Sequence, residues 1–324
     1  MKGFYFINYW TLFLLIAITS SCNYPSSNVD GFENTAQGVE LIVLGTAQDA
    51  GSPQIACQKD CCKKLFSNPK SSRFVSSIGL VDYNNQKTYL FDATPDIAEQ
   101  INTLSKSFAD STQILPDAVF LTHAHIGHYT GLMYFGREAL GAKEVNVYAM
   151  PRMSNFLKTN GPWSQLCNLK NISINQIDSL EQIQLETNLS VIPIWVPHRD
   201  EFSETVGYLI NGPNKKALFI PDIDKWNKWD ESIVKWLEKV DYAFLDATFY
   251  DGVEINNRDI SEIPHPFVIE SMELFKNLSK AEKLKVYFIH LNHTNPLLDI
   301  NSEAYSTVLS NGFNVARQNQ SVKL

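Results

Sequence analysis

Positive charge is scarce in this chain. Its 324 residues hold 27 lysines and arginines against 35 aspartates and glutamates, for a net charge of −8 and a pI near 5.4. A protein that grips a nucleic-acid backbone presents a basic face, so that class of partner is not expected. Internal repeats are lacking, and past residue 38 no Ser-, Gly- or Pro-rich linker divides the sequence. Long apolar runs are also lacking. The stretch from Tyr9 to Ile18 is short of the roughly 20 residues that span a bilayer. With 44% hydrophobic and 19% charged residues, the composition is neither disordered nor collagen-like. Such a chain can bury a full core without staples. Cysteine is sparse too: there are five, and the odd number needs an explanation.

What is present begins with an N-terminal leader pattern. Lys2 precedes the apolar stretch, which runs into Thr19-Ser20-Ser21-Cys22. Small residues leading into one cysteine resemble a bacterial lipoprotein signal, although Thr19 stands where leucine is usual. The expectation is a signal over residues 1–21, a lipidated Cys22, a polar tether over 22–38, and a mature chain exported and lipid-anchored at a bacterial membrane. A plain cleaved signal or a retained anchor is the alternative.

From Val39 onward, short apolar runs alternate with amphipathic stretches, which predicts an α/β domain over 39–324. Strands are predicted at Glu40–Leu44, Val75–Asp82, Thr88–Phe91, Ala118–Leu121, Val145–Ala149, Val191–Val196, Val206–Ile210, Ala217–Ile220, Tyr242–Leu245 and Val286–Ile289. Helices are predicted at Pro95–Ser105, Tyr129–Leu140, Pro151–Thr159, Glu231–Lys239 and Pro266–Leu278. Asp92, His123, His198, Asp222, Asp246 and His290 each fall at or just past the end of an apolar strand-like run. In α/β folds the ligand crevice lies at the carboxyl ends of strands, so these side chains should gather in one site.

The densest group is Thr122-His123-Ala124-His125-Ile126-Gly127-His128. Histidines at i, i+2 and i+5 on a strand-to-helix turn can aim several imidazoles at one point. Zinc takes such nitrogen ligands and keeps an open position for catalysis. The plainer alternative is three hydrogen-bonded structural histidines at a helix start.

This motif, with His198, Asp222 and His290 after it, resembles the metallo-β-lactamase fold hydrolases from about Leu41 to about Pro296. The resemblance implies a single-domain, four-layer αβ/βα sandwich. It also implies that His123, His125 and His198 hold a first metal, that Asp222 bridges, and that His128, Asp222 and His290 serve a second. Gly127 stands where the family has aspartate, which implies a filled first site and a weak or empty second one.

Narrower motifs resemble the pyrroloquinoline-quinone biosynthesis protein B family. They are Gly45–Gln54 followed by a cysteine cluster, Ser76–Leu80, Phe91–Ile97 and His290–Pro296. Asp246-Ala247-Thr248-Phe249 resembles a motif of the ribonuclease Z branch. Typical members of the biosynthesis family lack the first two metal histidines. The chain therefore resembles a relative that kept hydrolase-type ligands, near in chemistry to the phosphodiesterase of the carbon–phosphorus lyase pathway.

Cys57, Cys61 and Cys62 form a compact cluster in a loop after the first strand. Adjacent Cys61 and Cys62 are poor disulfide partners for each other. Three thiolates are one ligand short of a closed zinc site. The resemblance to the phosphodiesterases supplies the fourth as His293, and a disulfide from Cys57 to Cys61 or Cys62 is the alternative. Cys167 reads as a small buried hydrophobe. His265 is a candidate to face substrate or act as a general acid, or else to cap a helix. Asp246 is a candidate to orient a metal-bound histidine, and Asp49 to replace the missing aspartate in part. Trp226, Trp229 and Trp236 read as packing.

The function expected from these readings is a metal-dependent hydrolase acting through metal-bound hydroxide on an ester, phosphodiester or related bond of a small molecule. Asp222, His265 and Asp246 are its catalytic candidates. Zn2+ is the expected ion in the active site and in the cysteine site, with iron or manganese as alternatives in the former. Two other functions stay open: an iron-using oxidative enzyme allied to quinone-cofactor biosynthesis, and a non-catalytic metal-binding lipoprotein.

Overall fold

The computed structural model describes residues 1, 3, 37–108, 114–255 and 259–324. The predicted signal, Cys22 and the tether before Gln37 therefore lie outside the described residues, apart from Met1 and Gly3. The chain divides into Met1–Thr35 and a compact unit Ala36–Leu324. Among the described residues no helix is long and apolar enough to cross a membrane.

Fourteen strands are described: β1 Val39–Gly45, β2 Ser77–Asp82, β3 Lys87–Phe91, β4 Ala118–Phe120, β5 Val145–Ala149, β6 Ile172–Gln176, β7 Ile183–Glu186, β8 Leu189–Trp195, β9 Val206–Asn211, β10 Lys216–Ile220, β11 Tyr242–Asp246, β12 Val286–Ile289, β13 Asn314–Val315 and β14 Ser321–Lys323. They form two sheets of seven, ordered β14-β1-β2-β3-β4-β5-β6 and β13-β12-β11-β10-β9-β8-β7. Strands β3 to β6 are parallel to one another, as are β10 to β13, while the rest pair antiparallel. Nearly continuous apolar runs such as Ala217-Leu218-Phe219-Ile220 suit these strands, because both faces of each sheet are covered.

Three apolar cores produce the layering. Leu41, Ile78, Phe91 and Phe120 of the first sheet meet Val191, Tyr208, Phe219 and Phe244 of the second. On the outer side of the first sheet, Val119 and Val147 pack with Ile101, Leu104, Met153 and Leu157 of the helices Ile97–Ser105 and Pro151–Thr159. On the outer side of the second, Leu218, Leu245 and Phe288 pack with Trp236, Leu237, Phe275 and Val308. Each such side chain contributes about 1.5–3 kcal/mol by leaving water. The result is the four-layer αβ/βα sandwich. Trp229 and Trp236 are buried in it and Trp226 lies against its rim, as packing residues.

Two local expectations are corrected. The helix expected over Tyr129–Leu140 is instead a single α-turn, Ile126–Tyr129, continued as a 3-10 segment Thr130–Phe135. Gly131 presses its backbone so closely on the preceding layer that a Cβ there would sit 2.1 Å from the Thr94 carbonyl oxygen. That close approach favours irregular backbone over a long helix. The cysteine cluster does not lie wholly in a loop, because Cys61 and Cys62 occupy the first turn of a helix, Asp60–Ser67.

Carboxyl ends of the parallel strands meet at one rim. Asp92 follows β3, Thr122–His128 follow β4, Asp222 follows β10, Asp246 ends β11 and His290 follows β12. Asp92 and His290 adopt left-handed backbone with φ of 67° and 64°. Non-glycine residues rarely do so, and such strain persists where the surroundings enforce it, commonly at functional sites.

Candidate metal centre

Four inward-turned donors form the first group. One ligand atom each from His123, His125, His198 and Asp222 lies within 4.8 Å of every other. Asp222 Oδ2 is 3.3 Å from His123 Nε2, 3.2 Å from His198 Nε2 and 3.8 Å from His125 Nδ1. The far ring nitrogens are held from behind. His123 Nδ1 meets the Thr122 hydroxyl at 2.9 Å and His198 Nδ1 meets Asp224 at 3.2 Å. His125 Nε2 lies 3.5 Å from Glu201. Such partners fix which ring nitrogen faces a metal and raise its basicity.

A second group faces the first across Asp222. His128 and His290 come together with Asp49, again within 4.8 Å, and His290 also groups with Asp222, Asp246 and His265. Asp92 accepts from Thr122 through both its backbone N–H and its hydroxyl, and lies 2.7 Å from His128 Nδ1. His290 Nδ1 meets the Thr248 hydroxyl at 3.0 Å.

The atoms left over define what the site lacks. His128 Nε2, His290 Nε2 and Asp49 Oδ1 are buried without a hydrogen-bond partner, and His198 Nε2 and Asp222 Oδ1 are buried with only ion-pair contacts, to Asp222 Oδ2 at 3.2 Å and to His265 Nδ1 at 3.1 Å. Buried polar atoms without partners are costly and uncommon. Here three such atoms gather beside the two ion-paired ones, which fits one or two divalent ions with imidazole and carboxylate ligands.

Burial by itself would raise the Asp222 carboxyl, but His198, His265 and His290 around it hold it well below the usual range. Burial would also lower His128 and His198, yet Asp92 beside the one and Asp222 beside the other lift each to about 9. His123 and His290 are held well below the usual imidazole range, chiefly by burial.

His265 is buried at the same rim, with Nδ1 2.9 Å from Asp246 Oδ2 and 3.1 Å from Asp222 Oδ1. Burial opposes its charge, but the two carboxylates outweigh burial and hold it well above the ordinary imidazole range. Asp246 lies in the group with Asp222, His265 and His290, and its carboxylate is well supplied with hydrogen bonds. Its oxygens accept from Thr248 N–H and O–H, from Ile223 N–H and from His265. These bonds tie it to residues around the site. Asp224, Thr122, Thr248 and Glu201 were not singled out from sequence. The spacing Asp222-x-Asp224 and threonine beside a strand-end His or Asp were the available signals.

The cysteine site is separate. One ligand atom each of Cys57, Cys61, Cys62 and His293 lies within 4.8 Å of the others, and all three thiols are free. Gln54 N–H points at Cys62 Sγ at 3.3 Å. The group can hold a metal ion in the four-ligand arrangement of closed structural sites. Cys167 is half-buried beside the outer helices of the first sheet.

Comparison with known proteins agrees with this architecture. A family model described as Beta-lactamase superfamily domain matches residues 87–291. Coenzyme PQQ synthesis protein B of Methylococcus capsulatus is 27% identical over 309 residues, covering 85% of this chain and 97% of the relative. The protein of that name from Klebsiella pneumoniae is 26% identical, covering 88% and 98%. Among solved structures, Zn2+-bound PqqB from Methylobacterium extorquens superposes with a TM-score of 0.72 at 21% identity, over 88% of this chain and all of that one. A diphosphatase of the PhnP family superposes with a TM-score of 0.62 at 23% identity, over 88% and 97%. Sheet order, cores, site geometry and these similarities agree: the chain belongs to the β-lactamase superfamily domain family and is a PqqB-like protein of the metallo-β-lactamase fold.

Proposed function

We propose that the chain is a metal-dependent hydrolase of a small molecule, acting on an ester, phosphodiester or related bond. The observation that carries this reading is the convergence of buried, unpartnered imidazole and carboxylate atoms on one place at the strand ends. His123, His125, His198 and Asp222 would hold a first ion, and His128, His290 and Asp222 would serve a second. A divalent ion held by these residues would supply Lewis acidity and a source of activated water. Thr122, Asp224 and Asp92 keep the imidazoles aimed, and burial keeps bulk water from competing. His265, held by Asp246 beside Asp222, is placed to keep a proton and hand it to a leaving group.

A second reading rests on the full-length similarity to the coenzyme PQQ synthesis B proteins, which favours an oxidative role in quinone-cofactor biosynthesis. As far as similarity goes it is the better supported of the two, and the ligand geometry is what favours hydrolysis. One experiment separates them. Purified protein is assayed for metal content, for turnover of ester, lactone, β-lactam and phosphodiester panels, and for oxygen uptake with iron. Hydrolysis is expected with zinc or manganese, and His265→Ala should lower kcat by about 10²–10⁴ with metal content unchanged. Iron-dependent oxygen uptake without hydrolysis overturns the first reading in favour of the second. Export and anchoring through lipidated Cys22 belong to the same proposal, and loss of membrane association in Cys22→Ala tests them.

A further inference from the structure

We propose that Asp49 is a ligand of a second ion, with His128 and His290, and that position 127 is glycine because Asp49, by its backbone as well as its carboxylate, fills the space a side chain there would take. The inference rests on the metal-centre reading above and adds a ligand to it. A Cβ placed on Gly127 would sit 2.4 Å from Asp49 Oδ1 and 2.5 Å from Asp49 Cα, closer than any side chain tolerates. Position 127 has no room for a carboxylate beside this loop, and the chain carries one at 49.

Asp49 Oδ1 is buried and makes no hydrogen bond, although the carboxylate has a route to water, its side chain being 24% exposed. It is instead turned to within 3.6 Å of His128 Nε2, itself buried and unpartnered. His290 Nε2 completes the trio and is in the same condition. An ordinary Asp–His ion pair would put the proton between the two atoms at hydrogen-bond distance. The 3.6 Å gap, with a second unpartnered imidazole nitrogen beside it, suits an ion between the three better than a proton between two.

The loop that carries Asp49 is fixed to the strand end that carries His290. Ala47 bridges to both Val75 and Leu291, and Gln48 N–H donates to the Leu291 carbonyl at 2.9 Å. On the far side, Gly51 N–H closes the turn on Gln48 at 2.8 Å. Asp49 is thereby delivered to the site by the first strand of the domain and not by the histidine motif, 78 residues away in sequence.

The test measures metal binding to protein stripped of metal, by calorimetric titration with Zn2+ and by the cobalt spectrum with Co2+, in which thiolate bands report the cysteine site separately. Four chains are compared: wild type, Asp49→Asn, Asp49→Gly, and the exchange Asp49→Gly with Gly127→Asp. Wild type is expected to bind one ion more than either single variant, or to bind its last ion at least 10-fold more tightly. The first ion should be retained in all four. The exchange should not recover the lost ion, because a Cβ at position 127 would still lie 2.5 Å from the Cα of residue 49 once the Asp49 side chain is gone; its recovery would overturn the exclusion of a side chain at 127. Asp49→Asn is nearly isosteric and carries the test if the exchange fails to fold. Wild-type affinity for every ion in both single variants overturns the proposal. So does a wild type that binds only the first and the cysteine-site ions, an outcome that leaves the first-site reading intact. Wild type without any ion at the histidine centre removes the metal reading itself.

Discussion

Replacing His123 and His125 together by alanine should abolish ion binding at the first group and reduce turnover by about 10³-fold or more. Four donors converge there, and the Asp222 carboxylate lies between three imidazoles at 3.2–3.8 Å. Two donors cannot fix a divalent ion in a defined geometry, and Lewis-acid stabilisation is worth several kcal/mol in the transition state. At 1.36 kcal/mol per tenfold, that is about three powers of ten. The measurement is elemental analysis of the purified variant beside wild type, with the cysteine-bound ion counted in both. The fold should survive, since alanine removes the two imidazoles and leaves the apolar cores untouched. Retention of a full metal complement would sink the assignment of these histidines.

Much of this centre could be read from the chain because several of its residues stand at or just past the end of an apolar strand. Asp92, Asp222, Asp246 and His290 follow buried runs such as Lys87–Phe91 and Val286–Ile289, where both faces are apolar and the first polar residue marks the rim. His123 and His198 follow within three residues of a strand end. The edges were harder. Strand Ile172–Gln176 is half-exposed and polar along much of its length, and Ser321–Lys323 is short and at a sheet edge, so neither gives a buried periodic run. The helix Glu303–Ser310 starts on a Ser302 cap, but its single buried stripe is brief. Asp49 could only be guessed at, because nothing in a linear reading shows that the space beside Gly127 is taken by a residue of the turn after β1. The long helix expected after the histidine motif failed for a related reason: Gly131 packs its backbone against Thr94, a contact that no local pattern encodes.

Removing the ion from the cysteine site should lower the melting temperature by about 10 °C or more, whereas a reductant alone should leave it unchanged. Cys57, Cys61 and Cys62 belong to the segment after β1, and His293 to the segment after β12, so an ion on all four ties the two ends of the domain together. Structural zinc contributes folding free energy directly, apparently about 10–16 kcal/mol in small finger domains. Even if much of that is offset here by a large independent core, a remainder of several kcal/mol shifts a domain of this size by about 2–4 °C per kcal/mol. Cys57→Ser with Cys62→Ser isolates the effect from the histidine centre. That variant should melt low from the start, and the cobalt thiolate bands should be absent. A chelator should then shift it only by what the histidine centre contributes. The thiols are free in the structure, so a reductant has no bond there to break. Should reductant, and not chelator, lower the melting temperature of wild type, the cluster is a disulfide, and the odd cysteine count would then need a different explanation from thiolates shared with His293.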